Sequence, residues 1–188
     1  MKKLLLLLLF IPLVSFGQLE IEKPEGWFLQ GKNEAVYNNL KKIYSKNKPL
    51  AKELIDDIEK RGTVLYAYSK YDLKTHKGLS PTINVAIGRH NKLDLEGLKK
   101  HTKEKLTKDL KKATINFSFK YIKDIKIKNN NAFVMHSTFN LPNYKGNVRS
   151  WSYMYINEDN LFYQISFSDL ESDKCDDLFK EIINSIKE

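Results

Sequence analysis

The hydrophobic pattern changes its period several times along the chain, and each change marks a predicted element. Within residues 82–90, the apolar residues Ile83, Val85 and Ile87 alternate with small or polar residues, which is typical of a half-buried strand. Period-two segments joined by short turns predict neighbouring antiparallel strands. The other predicted strands cover 63–71, 114–127 and 132–141 and lie on both sides of residues 157–160.

Other segments have the period of a helix. The helix predicted over 94–112 has a narrow apolar stripe and an excess of lysine, whereas the last helix, with Ser172 as its predicted cap, has a wide apolar stripe. Two shorter helices are predicted over 33–44 and 49–61, the second opening at Pro49. The wide stripe of the last helix consists of Cys175, Leu178, Phe179, Ile182, Ile183 and Ile186.

The order of the elements predicts one α+β domain. A meander of strands with helices before, within and after it favours an antiparallel sheet of about six strands with helices packed on it. A turn at Pro24-Glu25-Gly26 precedes Trp27 near the start. The chain shows no internal repeat and no linker, so residues 18–188 are predicted to form a single domain.

The segment 147–167 contains six aromatic residues and is predicted to be a hairpin. A two-residue turn at Glu158-Asp159 places Met154 opposite Tyr163 and makes their face the main core. The other face then carries the predicted binding surface, although a slip of one residue exchanges the faces. Burial of this second face under a helix layer is favoured, since helices on both faces of a sheet bury both sets of side chains, and the part centred on Arg149 and Trp151 is then left as the candidate binding surface. The predicted binding residues are Arg149, Trp151, Tyr153 and Arg89.

The first 17 residues have the pattern of a cleaved secretory signal peptide. Lys2 and Lys3 precede an apolar run that is too short to span a bilayer, and Ser15 and Gly17 fit a cleavage site before Gln18. Removing these residues leaves 171 and lowers the formal charge from +9 to +7. The sequence therefore predicts an exported, periplasmic or secreted monomer with no transmembrane segment in the mature chain, and a basic surface that favours anionic surroundings.

Most site chemistries are not supported by the sequence. The histidines lack zinc-site spacing, and no serine-hydrolase elbow, P-loop or dinucleotide-binding motif is present. Cys175 lies on an apolar stripe without a charge partner, so the thiol is predicted to be inert packing. Lysines lie among aromatics in 117–128, but alternation explains them as the solvent side of a strand, so nucleic acid is not predicted as a partner. No catalytic residue, metal or cofactor is predicted, and the protein is not expected to be an enzyme.

Four segments together resemble the PsbP-like family, which comprises the extrinsic photosystem subunit and its bacterial relatives. They are Pro24–Trp27, Pro81–Val85, Phe162–Ser168 and the end of the last helix at Ile182–Ile186. The family shares its fold with a nuclear import factor that binds the Ran GTPase. The resemblance implies an α/β/α sandwich with helices on both faces, and a non-enzymatic accessory or docking role. No metal-handling residue of the photosystem subunit has a match here.

Two functions from different classes remain. The first is a non-catalytic interaction module that binds an envelope protein or an anionic surface. The alternative is a small-ligand carrier or hydrolase with a pocket between the sheet and a helix layer. A pocket of about 300 Å³ or more, lined by converging polar groups, favours the second function.

Overall fold

The computed structural model describes residues 21–30, 63–89, 94–112, 116–127, 129–140, 146–156 and 161–187. The predicted signal peptide and the helices predicted over 33–44 and 49–61 lie outside these residues. The described part contains one antiparallel sheet and two α-helices, which confirms the α+β class.

The sheet has seven strands rather than about six. The strand outside the six predicted ones is β1, a three-residue segment that begins directly after the predicted turn. In that turn the Trp27 N–H donates to the Pro24 carbonyl at 3.1 Å, and Gly26 has a φ of +73°, which glycine adopts without strain. The strands are β1 Phe28–Gln30, β2 Thr63–Ser69, β3 Thr82–Arg89, β4 Asn116–Ile127, β5 Asn130–Asn140, β6 Asn147–Ile156 and β7 Leu161–Leu170.

The strand order across the sheet is β1-β2-β3-β7-β6-β5-β4. Strands β4 to β7 form the predicted meander, and β7 then pairs with β3 near the middle of the sheet. The chain therefore crosses from the central strand β3 to the far edge strand β4. Helix α1, Leu95–Lys112, lies in this crossover, and helix α2, Asp176–Lys187, follows β7.

At the start of each helix, a carboxylate from the preceding part of the chain accepts a backbone N–H. At α1 the Asp94 Oδ1 atom accepts the Gly97 N–H at 2.8 Å, as an N-cap does. The prediction that Ser172 caps the last helix is wrong. Ser172 lies in a short 3₁₀ turn, Glu171–Asp173, and the buried carboxylate of Asp169 accepts the Cys175 N–H just before α2. Lys174 adopts a φ of +50° between the two segments, so the chain turns there before the helix starts.

The predicted register of the aromatic hairpin is wrong by one residue. Met154 pairs with Gln164, and Tyr155 pairs with Tyr163. This register does not fit the two-residue turn predicted at Glu158-Asp159, and residues 157–160 themselves lie outside the described part. Because side chains alternate along a strand, the slip moves Trp151, Tyr153 and Tyr155 onto the face of Phe167.

We call the two sides of the sheet the aromatic face and the polar face. The aromatic face carries Trp151, Tyr153, Tyr155, Tyr163 and Phe167, and its core cluster includes the buried residues Phe179, Ile182, Ile183 and Ile186 of α2. The polar face carries Thr82, Asn84, Ser152, Gln164, Ser166 and Ser168. A second cluster joins Leu98 of α1 to Phe133, Met135 and Met154 of the sheet.

Candidate functional site

The guanidinium of Arg149 joins two strands to the start of α2. Its Nε and Nη2 atoms donate to the two carboxylate oxygens of Asp169 at 2.9 and 2.6 Å, and Nη1 donates to Asp176 Oδ1 at 2.9 Å. The Asp169 side chain is 0% exposed and that of Arg149 is 16% exposed. A buried bidentate pair of this kind fixes the geometry of its elements. We call Arg149, Asp169 and Asp176 the arginine clamp.

The clamp also explains the charge state of Arg149. Burial, the largest influence, lowers the pKa of the guanidinium, but the hydrogen bonds and charges of Asp169 and Asp176 outweigh it and raise the pKa overall. Arg149 therefore stays cationic, and its donors are already engaged by carboxylates. Asp176 and its neighbour Asp177 point in different directions, as adjacent helical residues do, since Asp177 is 98% exposed and pairs with Lys180.

Trp151 lies within a group of rings next to the clamp. Its indole stacks on the imidazole of His136, with centroids 4.6 Å apart and an angle of 9° between the planes. It also meets the Phe179 ring of α2 edge-on at 5.7 Å, and the Arg149 Cζ atom lies 5.2 Å from its centroid. Trp151 is therefore a packing residue between the sheet and α2 that keeps part of its surface exposed.

His136 is held as a neutral imidazole in this group. Its pKa is lowered by burial first, and then by the positive charges of Arg149 and Lys120, against smaller opposing effects of Asp176 and Asp169. The Nε2 atom is buried and has no hydrogen-bond partner within the described residues. The Tyr121 ring packs edge-on at 5.1 Å. The burial of His136 and the nearby positive charges therefore favour the uncharged ring.

The four predicted binding residues are not brought to one place. Tyr153 packs edge-on against Phe167 at 5.8 Å, and burial, helped by the nearby Tyr121, raises its pKa to about 12. Arg89 ends β3, where its backbone pairs with Leu161, whereas Arg149 pairs with Asp169 at the other end of β7. Eight residues of β-strand separate these positions by about 27 Å. Arg149, Trp151 and Tyr153 share a strand face, but Arg89 does not join them.

A basic stripe runs along the outer side of α1. Its residues recur three or four positions apart, and residues at this spacing lie on one helix face. They line an open groove of about 790 Å³. The apolar residue Leu98 of the same helix is buried against the sheet. We call this set the lysine stripe: Lys100, Lys103, Lys108 and Lys111, with Glu104 and Thr107 between them.

The polar face carries a row of hydrogen-bonded small side chains across β3, β7 and β6. The Thr82 and Ser168 hydroxyls lie 2.8 Å apart, and the Gln164 amide donates to the Ser166 hydroxyl at 2.8 Å. The Asn84 amide donates to Thr82 at 3.2 Å, while its buried Oδ1 atom has no partner within the described residues. This row was missed from the sequence, because the predicted register placed large residues opposite the serines.

The single cysteine is structural. Cys175 is buried, and burial raises its pKa to about 11, although the nearby Lys70 partly opposes that shift. A thiol with a raised pKa is a poor nucleophile at neutral pH. Within the described ranges no three His, Cys, Asp or Glu side chains converge in a way that holds a metal ion. The same part of the chain has no helix long and apolar enough to cross a bilayer.

Comparisons with known proteins add little to this geometry. No family model matches the chain, and no curated protein matches it. One similar solved structure is described as a protein of unknown function, PA94 from Pseudomonas aeruginosa, a "Putative Regulator". The likeness has a TM-score of 0.42 at 9% identity and covers 57% of this chain and 72% of that chain. A likeness this weak carries no argument about function, so the functional argument rests on the described residues of this chain.

Proposed function

We propose that this protein is an exported, non-catalytic docking module that binds an anionic surface of the cell envelope. The observation that carries the proposal is the lysine stripe of α1. Four lysines and one glutamate line its groove, which gives a formal charge of +3 on a single helix face. The apolar stripe of the same helix packs on the sheet, so among the described residues the basic side is the one that faces away from the core.

The charge of the stripe is large enough for reversible binding. A lysine near an anionic membrane surface contributes about 1 kcal/mol, and three net charges therefore contribute about 3 kcal/mol. This corresponds to roughly a hundredfold change in affinity. Because the charges are solvated, salt screens the attraction, and binding should weaken as the ionic strength rises.

The proposal also includes the arrangement of the helices on the sheet and the export of the protein. An α/β/α sandwich of the PsbP-like kind accounts for the two clusters, since Leu98 of α1 packs with Met154 while Phe179 of α2 packs with Phe167. Docking of a monomer on an envelope surface also suits a chain that begins with the pattern of a signal peptide. An envelope protein with an acidic surface offers the stripe the same chemistry as a lipid headgroup.

The test is vesicle binding by the purified protein. Phosphatidylcholine vesicles and vesicles rich in phosphatidylglycerol are sedimented with the protein at low and high salt. We expect binding to the anionic vesicles alone, and its loss at high salt. A stripe variant has glutamine in place of four lysines, Lys100, Lys103, Lys108 and Lys111.

A matched control separates the stripe from net charge. The control variant loses the same four charges at exposed lysines outside α1, Lys74, Lys77, Lys174 and Lys180. We expect the stripe variant to lose at least about tenfold in apparent affinity, whereas the control loses much less. Equal losses in the two variants, or no binding to anionic vesicles at low salt, would refute the proposal.

A second candidate function is the carriage of a small polar ligand. The polar face favours it, because Asn84 Oδ1 lacks a partner within the described residues and lies beside the hydroxyl of Thr82. The described residues that line the groove all belong to α1 and none to the sheet, so the groove gives this candidate no support. Stabilisation of the protein by monosaccharides or nucleosides, lost on Ser166→Val, would establish it.

A further inference from the structure

Strand β4 is the long edge of the sheet among the described strands. It has 12 residues and pairs with β5 on one side, whereas the strand at the opposite edge has three. An edge strand presents backbone N–H and C=O groups that a further extended chain can pair with. The edge is therefore a place where another polypeptide can add a strand.

A regular stretch of β4 suits such pairing. The register against β5 shifts between Phe119 and Tyr121, which marks a bulge. From Tyr121 to Ile127 the pairing with β5 continues without interruption. A bulge twists an edge and ends regular pairing, so an added strand has this seven-residue stretch available.

The apolar side chains of this stretch are incompletely covered. Tyr121, Ile122 and Ile125 are each half-buried. Ile125 extends the core cluster of the aromatic face, and Ile122 extends the cluster that contains Leu98. Both clusters thus continue to the β4 edge, and a further strand would cover the exposed part of each.

The charges along the edge select the partner. Lys120, Lys123 and Lys126 are exposed, and the one acid between Tyr121 and Ile127, Asp124, accepts from Lys99 at 2.6 Å. A second copy of the chain would bring lysines against lysines, which disfavours pairing of identical edges. A strand with acidic residues beside these lysines meets complementary charge.

We propose that the β4 edge from Tyr121 to Ile127 binds an extended acidic segment of a partner protein by strand addition. Backbone hydrogen bonds supply the attachment, apolar residues of the segment cover Tyr121, Ile122 and Ile125, and its carboxylates pair with Lys123 and Lys126. This contact goes beyond anionic-surface docking, because its ligand is a polypeptide and it does not use the lysine stripe.

The probe is a synthetic peptide of about nine residues, a length that covers the available stretch, with valines opposite Tyr121, Ile122 and Ile125 and glutamates opposite Lys123 and Lys126. Fluorescence anisotropy of the labelled peptide measures its affinity for the purified protein. In a second peptide, every other backbone amide is N-methylated, namely the amides whose N–H groups would point toward β4. This removes the hydrogen-bond donors that pair with β4 and leaves the charge of the peptide unchanged. We expect N-methylation of the pairing edge to weaken binding at least about tenfold.

Two protein variants test the charges. Lys123→Glu with Lys126→Glu should weaken binding of the glutamate peptide about tenfold, and should create binding to a peptide with lysine in place of glutamate. The lysine-stripe variant, in which vesicle binding is expected to fall, should bind the glutamate peptide as the unchanged protein does. The two proposals can therefore fail separately.

Three outcomes would overturn strand addition. One is equal binding of the unmethylated and the N-methylated peptide, which would reduce the contact to charge attraction. The second is no binding of the glutamate peptide by a protein that shows the far-UV circular dichroism of an α+β fold. The third is displacement of the peptide by oligo-thymidylate that itself binds through Tyr121, which would make the edge a single-strand nucleic-acid surface.

Discussion

Helices α1 and α2 are both amphipathic, but they are attached to the sheet in different ways. In α2, Phe179, Ile182, Ile183 and Ile186 are buried, and the arginine clamp holds its first turn. In α1, which is half as long again, Leu98 and Leu110 are buried, and lysines follow the outer side. The difference indicates that α2 completes the core, whereas α1 presents a surface.

The charges of the two helices follow the same division. The acid at the start of α2 points inward, where Asp176 meets Arg149 at 2.8 Å. On α1, the lysine nearest the sheet, Lys99, reaches the exposed carboxylates of Glu96 and Asp124. Exposed pairs of this kind contribute at most about 1 kcal/mol, while breaking a buried pair costs about 3–5 kcal/mol. The fully buried pair, Arg149 with Asp169, joins β6 to β7, and α2 is attached to it through the partly exposed Asp176, so removing a charge from the clamp should destabilise the protein more than removing one from the α1 pairs.

The largest effect on stability is expected from removing the ring of Phe179, the aromatic residue of α2. Phe179 is buried against Trp27, Trp151 and Phe167. Phe179→Ala should lower the free energy of unfolding by about 3–5 kcal/mol, measured by urea denaturation. The control on α1 is Leu106→Ala, at a half-buried position, with an expected loss of about 1 kcal/mol. Equal losses would contradict the distinction between the helices.

The next effect concerns the arginine clamp. Asp169→Ala should cost about 3 kcal/mol, since it leaves the guanidinium of Arg149 without its main partner and the Cys175 N–H without its acceptor. In a double-mutant cycle with Arg149→Met, the combined loss should be smaller than the sum of the single losses. The comparison is Asp177→Ala on the exposed side of α2, expected to change stability by less than about 0.5 kcal/mol.

A smaller effect is the dependence of stability on pH through His136. The folded state lowers its pKa, so the neutral form is favoured and the contribution is fully present above the unfolded pKa of about 6.5. It is lost as the pH falls from the unfolded pKa through the folded pKa, because the unfolded state then binds a proton more readily than the folded state, where burial and Arg149 disfavour the charged imidazole. His136→Phe keeps a ring against Trp151 and removes this titration, so acid should weaken the variant less. Identical stability profiles from pH 8 to 5 would contradict the assignment.

The smallest effect on stability is expected at the lysine stripe. Replacing Lys100 and Lys108 by glutamine should change the free energy of unfolding by less than about 0.5 kcal/mol, since both side chains are exposed. The same change should weaken binding to anionic vesicles. A stability loss above about 1 kcal/mol would show that the stripe packs against something, and the stripe could then no longer be treated as a free surface.

Much of the secondary structure was predictable from residue periodicity. The alternation of Ile83, Val85 and Ile87 predicted β3, and all three positions lie on one face in the structure. The helix predicted over 94–112 begins one residue later because Asp94 is its cap. These predictions succeeded because strand and helix periods are local properties of the chain.

The candidate sites were less predictable. The hairpin register depended on an assumed turn length, and an error of one residue transferred Trp151 and Tyr153 to the other face. That error also concealed the polar face, where Ser152 pairs with Ser166. Arg149 was predicted as a binding residue, whereas its partners Asp169 and Asp176 were not predicted, because they are 20 and 27 residues away and no local pattern connects them to it.

The sequence alone determined six of the seven described strands, the two described helices, their order, and which of these helices has a wide apolar side, because these depend on local periodicity and composition. Tertiary structure decided which faces meet, which carboxylates hold Arg149, and that β4 ends the sheet among the described strands. The physical reason is that pairing register and side-chain contact are settled by long-range packing, in which a shift of one residue exchanges the two faces of a strand.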